Sequence, residues 1–92
     1  MNFIPYGRQN ITEEDIDAVV NVLKSDYLTQ GPKVPEFEQA IKNHCVVRHA
    51  LAMNSATSAL HVACLALGVG KGDIVWTTPI TFVASANCAL YC

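Results

Sequence analysis

Apolar residues recur in this chain first with the period of a helix and then in dense blocks. Ile16, Val19, Val20 and Leu23 fall at i, i+3, i+4 and i+7, the single stripe expected of an amphipathic helix. Thr12 stands where an N-cap belongs, with Asp15 at the capping-box position. Glu13, Glu14 and Asp15 place negative charge at the positive end of the helix dipole. The helix is expected to end near Ser25. Before it runs an extended arm, Met1 to Asn10, with Phe3, Ile4 and Tyr6 as apolar anchors. After it comes a loop, Asp26 to Pro32, whose Gly31-Pro32 pair blocks helical continuation. Pro35 suits the first turn of a second helix, with Phe37, Ala40 and Ile41 on its buried face.

The pattern changes near residue 47. Val47 to Met53 reads as a strand, Ser55 to Leu67 as a strongly apolar helix, and Asp73 to Thr77 as a second strand. Thr81 is positioned to cap a third apolar helix from Phe82 to Leu90. Strand, helix, strand, helix implies an α/β fold with right-handed crossovers and a mostly parallel sheet covered on both faces. Two strands do not make such a sheet stable, and helices apolar nearly all round suit burial in a larger body. The expected division is therefore an arm with amphipathic helices over 1–46 and the beginning of an α/β domain over 47–92.

Charge sharpens that division. Of the fourteen Asp, Glu, Lys and Arg residues, only Lys71 and Asp73 lie after residue 48. Charged residues make up 15% of the chain, against roughly 25% in an average protein. Six scattered Lys and Arg make no basic patch for nucleic acid, and high apolar content with low net charge argues against disorder. The apolar stretch from Ala50 to Leu67 is broken by Asn54, Ser55, Thr57, Ser58 and His61, so no membrane span is expected. No basic start followed by an apolar block marks a signal peptide. These features predict a soluble, cytoplasmic protein. Cys45, Cys64, Cys88 and Cys92 lack the paired spacing of a zinc site. Cys88 and Cys92 share a helix face at i, i+4, half of what a metal needs. Small buried thiols in a reducing cell are the simpler reading. His44, His49 and His61 form no ligand pattern, and no metal is expected.

Three segments carry candidate chemistry. Asn54-Ser55-Ala56-Thr57-Ser58-Ala59-Leu60 lies where a predicted strand turns into a helix. Small residues there let backbone N–H groups approach an anion such as phosphate, aided by the helix dipole. The competing reading is that Ser55 or Thr57 only caps the helix. Gly68-Val69-Gly70-Lys71-Gly72-Asp73 has the glycines of a nucleotide loop. It follows a helix and precedes a strand, which is the wrong context, so helix termination and a tight turn explain it better. Thr77 to Val83 again ends a strand and opens a helix, on the ligand side of an open α/β sheet. Phe82 there is placed either to stack on a flat ring or to enter the core.

Taken in order, four motifs resemble a known family. They are Leu28-Thr29-Gln30-Gly31-Pro32-Lys33 with Phe37-Glu38, Asn54 to Leu60, Leu67 to Asp73, and Thr78 to Ala84. Together they resemble the N-terminal part of the nucleotide-sugar aminotransferases of the DegT kind, fold-type I pyridoxal-phosphate enzymes. Within that family, the similarity is greatest to aminotransferases of pseudaminic-acid biosynthesis, which act on a UDP-linked 4-keto-6-deoxy-N-acetylhexosamine. The resemblance implies the first part of a three-layer αβα fold with a mostly parallel sheet, incomplete in this chain. It implies that the Ala56-Thr57 turn cradles the cofactor phosphate and that Phe82 stacks against the pyridine ring. By the same resemblance, Tyr6, Asp26, Tyr27, Leu28, Thr29 and Ala56 line the sugar-nucleotide site, partly across a homodimer interface. The family often has Gly where Ala56 stands and Asp where Ser58 stands; Ala56 still permits close approach, and Ser58 brings no charge to repel phosphate.

The resemblance also predicts what this chain lacks. Pyridoxal-phosphate chemistry needs a Schiff-base lysine and an acidic partner for the ring nitrogen, and in the family both lie far downstream. Lys24, Lys33, Lys42 and Lys71 match no such lysine. The expected function is thus an N-terminal piece of an aminotransferase that aminates a nucleotide-linked keto sugar with glutamate as donor, inactive by itself and with no catalytic residue of its own. Two other readings stand beside it: a non-catalytic module that pairs with a full-length homologue, and a dehydratase built on the same scaffold.

Overall fold

The computed structural model describes residues 3–92, so Met1 and Asn2 of the expected arm lie outside the described residues. Four helices follow in order: α1 (Glu13–Leu23), α2 (Lys33–Cys45), α3 (Ala56–Ala66) and α4 (Ala84–Leu90). The chain divides into two compact units, Met1–Ala50 and Leu51–Cys92.

In the first unit, α1 begins as the sequence predicts. The Asp15 N–H donates to Thr12 Oγ1 at 3.3 Å, and the Thr12 N–H donates to Asp15 Oδ2 at 2.8 Å, closing a capping box. These bonds hold the Asp15 carboxyl below its ordinary value, the Thr12 N–H contributing most and the Thr12 hydroxyl next. The helix closes at Lys24, one residue short of the expected end. α2 carries Pro35 in its first turn, where a missing N–H costs nothing. It ends at Val46, whose φ of 54° is left-handed, a conformation that crowds a β-branched side chain.

Burial departs from expectation here. Phe37, Ala40 and Ile41 are exposed, as are Ile16, Val19 and Leu23. The stripes exist, but within this unit the helices do not close over them. Phe3, Ile4 and Tyr6 are likewise not anchors; Tyr6 is fully exposed.

The second unit is organised by α3 and α4, which pack on each other. Ala84 and Cys88, both 5% exposed, are the buried residues. α3 ends in a complete Schellman motif: Gly68 has φ 74°, its N–H donates to the Leu65 carbonyl, and the Val69 N–H donates to the Cys64 carbonyl. The next turn is closed by the Asp73 N–H on the Gly70 carbonyl (3.1 Å) and the Gly70 N–H on Asp73 Oδ2 (2.8 Å). A carboxylate already holds that amide, so the glycine-rich stretch is a helix stop and turn, as its context predicts.

One expectation is corrected, and another is not met among the described residues. α4 starts at Ala84 rather than Phe82, and Thr81 does not cap it; its hydroxyl meets Ser85 Oγ at 3.1 Å instead. Val47–Met53 and Asp73–Thr77 are not strands, and the described residues contain no sheet. A strand exists by virtue of a hydrogen-bonded neighbour. Among the described residues neither segment belongs to a ladder, and Ile74 is 87% and Trp76 92% exposed.

Candidate functional site

The start of α3 is the best-built part of the expected site. Ser55 takes the extended N-cap conformation, φ −161° and ψ 157°. Its Oγ accepts the Ser58 N–H at 3.1 Å and lies 3.0 Å from Ser58 Oγ and 3.2 Å from Asn54 Oδ1. The capping reading is thus realised, by Ser55 rather than Thr57. Capping does not exclude an anion. A single cap satisfies one first-turn donor, and the N–H groups of Ala56 and Thr57 head the helix with no intrahelical acceptor. The first turn of α3 contains no acidic residue, so nothing there opposes negative charge. The Ala56 methyl is the smallest side chain that still favours a helix. Backbone donors, a threonine hydroxyl and a helix dipole suit a phosphate group, and the residues present fit that end of pyridoxal phosphate.

Phe82 precedes α4 in the same unit. Its carbonyl accepts the Ser85 N–H at 3.1 Å, and its ring is 74% exposed. It has not entered the core, which leaves a face free for stacking.

The remaining expected residues belong to the first unit. Asp26, Tyr27, Leu28 and Thr29 follow α1 in one exposed loop. Ser25, which the sequence does not single out, braces that loop. Its Oγ donates to the Val22 carbonyl at 2.7 Å, lies 3.2 Å from the Tyr27 carbonyl, and accepts the Tyr27 N–H at 3.3 Å. Gln30 then turns left-handed at φ 50°. Gly31 sits so close under Tyr27 that a Cβ there would lie 2.7 Å from Tyr27 Cβ and 3.3 Å from its carbonyl oxygen. Tyr27, Leu28 and Gly31 border a hollow of about 300 Å³, with Asn21, Ser25 and Lys33 around it. Tyr6 does not line it. A larger hollow, about 520 Å³, lies among the Gly70–Asp73 turn, Val75 and α4, and holds none of the expected site residues.

Lys33 Nζ pairs with Glu36 Oε2 at 2.6 Å and Lys42 Nζ donates to Gln39 Oε1 at 3.3 Å, both on the exposed surface of α2. Among the described residues no group of three His, Cys, Asp or Glu is placed to hold a metal. Among the described residues no helix is long and apolar enough to cross a membrane.

Comparison with known proteins bears on this arrangement. The sequence model of the DegT/DnrJ/EryC1/StrS aminotransferase family matches residues 9–92. A UDP-4-amino-4,6-dideoxy-N-acetyl-beta-L-altrosamine transaminase of Campylobacter jejuni (strain 81-176) is 55% identical over 87 residues, 95% of this chain and 23% of that protein. A UDP-4-amino-4-deoxy-L-arabinose–oxoglutarate aminotransferase of Shewanella sediminis is 44% identical, over 92% of this chain and 22% of its own. The spore coat polysaccharide biosynthesis protein SpsC of Bacillus subtilis is 41% identical, over 98% and 23%. The chain thus spans less than a quarter of the length of these curated relatives. No solved structure matches it.

Proposed function

Because the chain belongs to the DegT/DnrJ/EryC1/StrS aminotransferase family, we propose that it supplies part of the cofactor and substrate site of a pyridoxal-phosphate-dependent sugar aminotransferase. The observation that carries this reading is the uncharged first turn of α3, where Ala56 and Thr57 head the helix inside the matched region. The fold-type I architecture that the family implies would place residues 47–53 and 73–77 in its parallel sheet.

Each residue has a separate task. The Ala56 and Thr57 amides and the Thr57 hydroxyl hold the phosphate, and Phe82 packs on the flat ring. Tyr6 and the loop Asp26, Tyr27, Leu28 and Thr29 bind the UDP-linked keto sugar, with Ala56 leaving room where sugar and cofactor meet. When bound, pyridoxal phosphate stores the amino group between donor and acceptor, because its ring withdraws electrons from the reacting carbon. The lysine that would move protons at that carbon is none of Lys24, Lys33, Lys42 or Lys71, so this stretch binds and orients and does not itself catalyse. The proposed substrate is a 4-keto-6-deoxy-N-acetylhexosamine carried on UDP, as in pseudaminic-acid-type glycan synthesis. The proposed donor is glutamate, the assembly a homodimer, and the site of action the cytoplasm, where nucleotide sugars and glutamate meet.

The test is a chimera in which this chain replaces the matching 87 residues of the Campylobacter relative. Transamination of a UDP-4-keto-hexosamine with glutamate is expected, whereas the 92-residue chain alone gives none. A chimera that folds and binds pyridoxal phosphate yet turns over no UDP-keto sugar would sink the proposal.

A further inference from the structure

The loop after α1 is tied down by a residue that stands just before it. α1 closes with backbone bonds: the Lys24 N–H donates to the Val20 carbonyl and the Ser25 N–H to the Val22 carbonyl, each at 3.0 Å. That closure does not need the Ser25 hydroxyl, because the Val22 carbonyl it meets at 2.7 Å already has a backbone donor. The hydroxyl bond to Val22 instead aims the oxygen. A serine hydroxyl has one proton to donate and lone pairs to accept with. With its proton directed at Val22, Ser25 Oγ accepts the Tyr27 N–H at 3.3 Å and stands 3.2 Å from the Tyr27 carbonyl.

A second grip comes from the far end of the loop. The chain turns left-handed at Gln30, and a Cβ on the next residue, Gly31, would lie 2.7 Å from Tyr27 Cβ. Tyr27 is thus held through its backbone by Ser25 and through its side chain by the close approach of Gly31. Leu28 and Thr29 are strung between these fixed points, beside the hollow of about 300 Å³ that Tyr27 and Leu28 border.

We propose that Ser25 is a positioning residue for nucleotide-sugar binding: its hydroxyl holds Tyr27 so that the Asp26–Thr29 loop is formed before UDP arrives. The inference rests on the reading that this loop binds the UDP-linked sugar, and it adds a residue that acts through Tyr27. An unbraced loop loses backbone freedom on binding, and that loss weakens affinity. A braced loop has lost it already.

The competing account is structural, since a serine near a helix end commonly bonds back to its own backbone. The two accounts differ in what removal of the hydroxyl does. Ser25 is exposed, so Ser25→Ala opens no cavity. It keeps the backbone closure of α1 and introduces a better helix former. Helix content should therefore not fall, while the Tyr27 N–H loses its acceptor.

The test compares the full 92-residue chain with Ser25→Ala and Ser25→Thr, using UDP as the probe. Ser25→Ala should speed hydrogen exchange at the Tyr27 amide and weaken UDP binding in calorimetry, each about three- to tenfold, the range of one net hydrogen bond. Ser25→Thr keeps the oxygen and should restore both. Helix content by circular dichroism should stay at the parent level. Ser25→Ala that binds UDP as the parent does would refute the role of Ser25 and leave the loop as the binding segment. Loss of helix alongside UDP affinity, or failure of Ser25→Thr to restore binding, would make Ser25 structural and equally overturn the proposal. A parent chain that does not bind UDP would refute the reading of the loop itself, and this proposal with it.

Discussion

A charge placed at Ser55 separates the two duties assigned to the start of α3. Ser55→Asp keeps an acceptor for the Ser58 N–H, now 3.1 Å from Ser55 Oγ, and improves the helix through its dipole by about 0.3–1 kcal/mol. The same carboxylate would sit roughly 5 Å from a phosphate held on the Ala56 and Thr57 amides, one hydrogen bond beyond the cap. Ser55 is exposed, so the water dielectric applies. A dianion then feels a repulsion of about 1–1.5 kcal/mol at low ionic strength, and about half that at physiological salt. Ser55→Ala does the opposite: it removes the cap at a cost of about 0.5–1 kcal/mol and adds no charge. Pyridoxamine phosphate is the appropriate probe, because it has no aldehyde to react with surface lysines, and pyridoxamine is its uncharged-tail control. Titration calorimetry should show Ser55→Asp binding the phosphate ester roughly five- to tenfold more weakly in low salt and about threefold more weakly at physiological salt. Ser55→Ala should change affinity little, with no salt dependence. Pyridoxamine should be indifferent to either change. If Ser55→Asp binds pyridoxamine phosphate as tightly as the parent chain, the phosphate is not at this helix start and the reasoning fails.

Other predictions follow from single contacts. Gly31→Ala drives a methyl into Tyr27 and should displace the 26–29 loop at a cost of about 1–3 kcal/mol, read as changed Tyr27 and Leu28 amide shifts; unchanged shifts would refute the close contact. Val46→Gly relieves a left-handed β-branched residue and should raise the denaturation midpoint by roughly 0.5–1 kcal/mol equivalent. The Asp15 carboxyl is depressed in the folded chain. Its support of α1 is therefore complete above the ordinary carboxylate range and disappears as pH falls through the lowered value. Far-ultraviolet circular dichroism should show that acid loss of helix, with Asp15→Asn lacking this component. Replacing Ile74 and Trp76 by serine removes large exposed apolar surface and should lower concentration-dependent association in sedimentation; an unchanged profile would remove this segment as its cause.

The sequence was most legible where the signal was local. Thr12 with Asp15, Gly68 with its following residues, and Ser55 before Ala56 each act within a few positions, and the structure forms all three much as the spacing predicts. Illegible features depended on contacts between non-neighbours. Nothing in the order of residues announces that Tyr27 lies over Gly31 or that Tyr91 sets its ring edge-on to His61. Thr81 misled for a related reason. It has the right chemistry for a cap, yet its hydroxyl turns to Ser85, and α4 starts without a side-chain cap.

The unpaired segments carry a further constraint of their own. Along a strand successive side chains face opposite ways, so Ile74 and Trp76 would share one face while Val75 took the other. All three are apolar, and a strand apolar on both faces belongs to a parallel sheet covered on both sides. Among the described residues no ladder partner meets this segment, and Ile74 and Trp76 remain almost wholly exposed. Helix stripes behave alike: Ile16, Val19 and Leu23 on α1 are patterned for cover and stay exposed. The locally determined features, the caps of α1 and α3 and the turn at Gly68, are complete, while those requiring a second apolar surface are not. That difference follows from the range of the forces involved. A cap bond is satisfied within one turn, whereas hydrophobic burial needs area brought from elsewhere. In relatives more than four times as long as the matched region, such area is available from the remaining three quarters of the sequence. The phosphate-binding reading therefore rests on the part of this chain whose geometry needs least help: one helix, its serine cap, and two amides ahead of it.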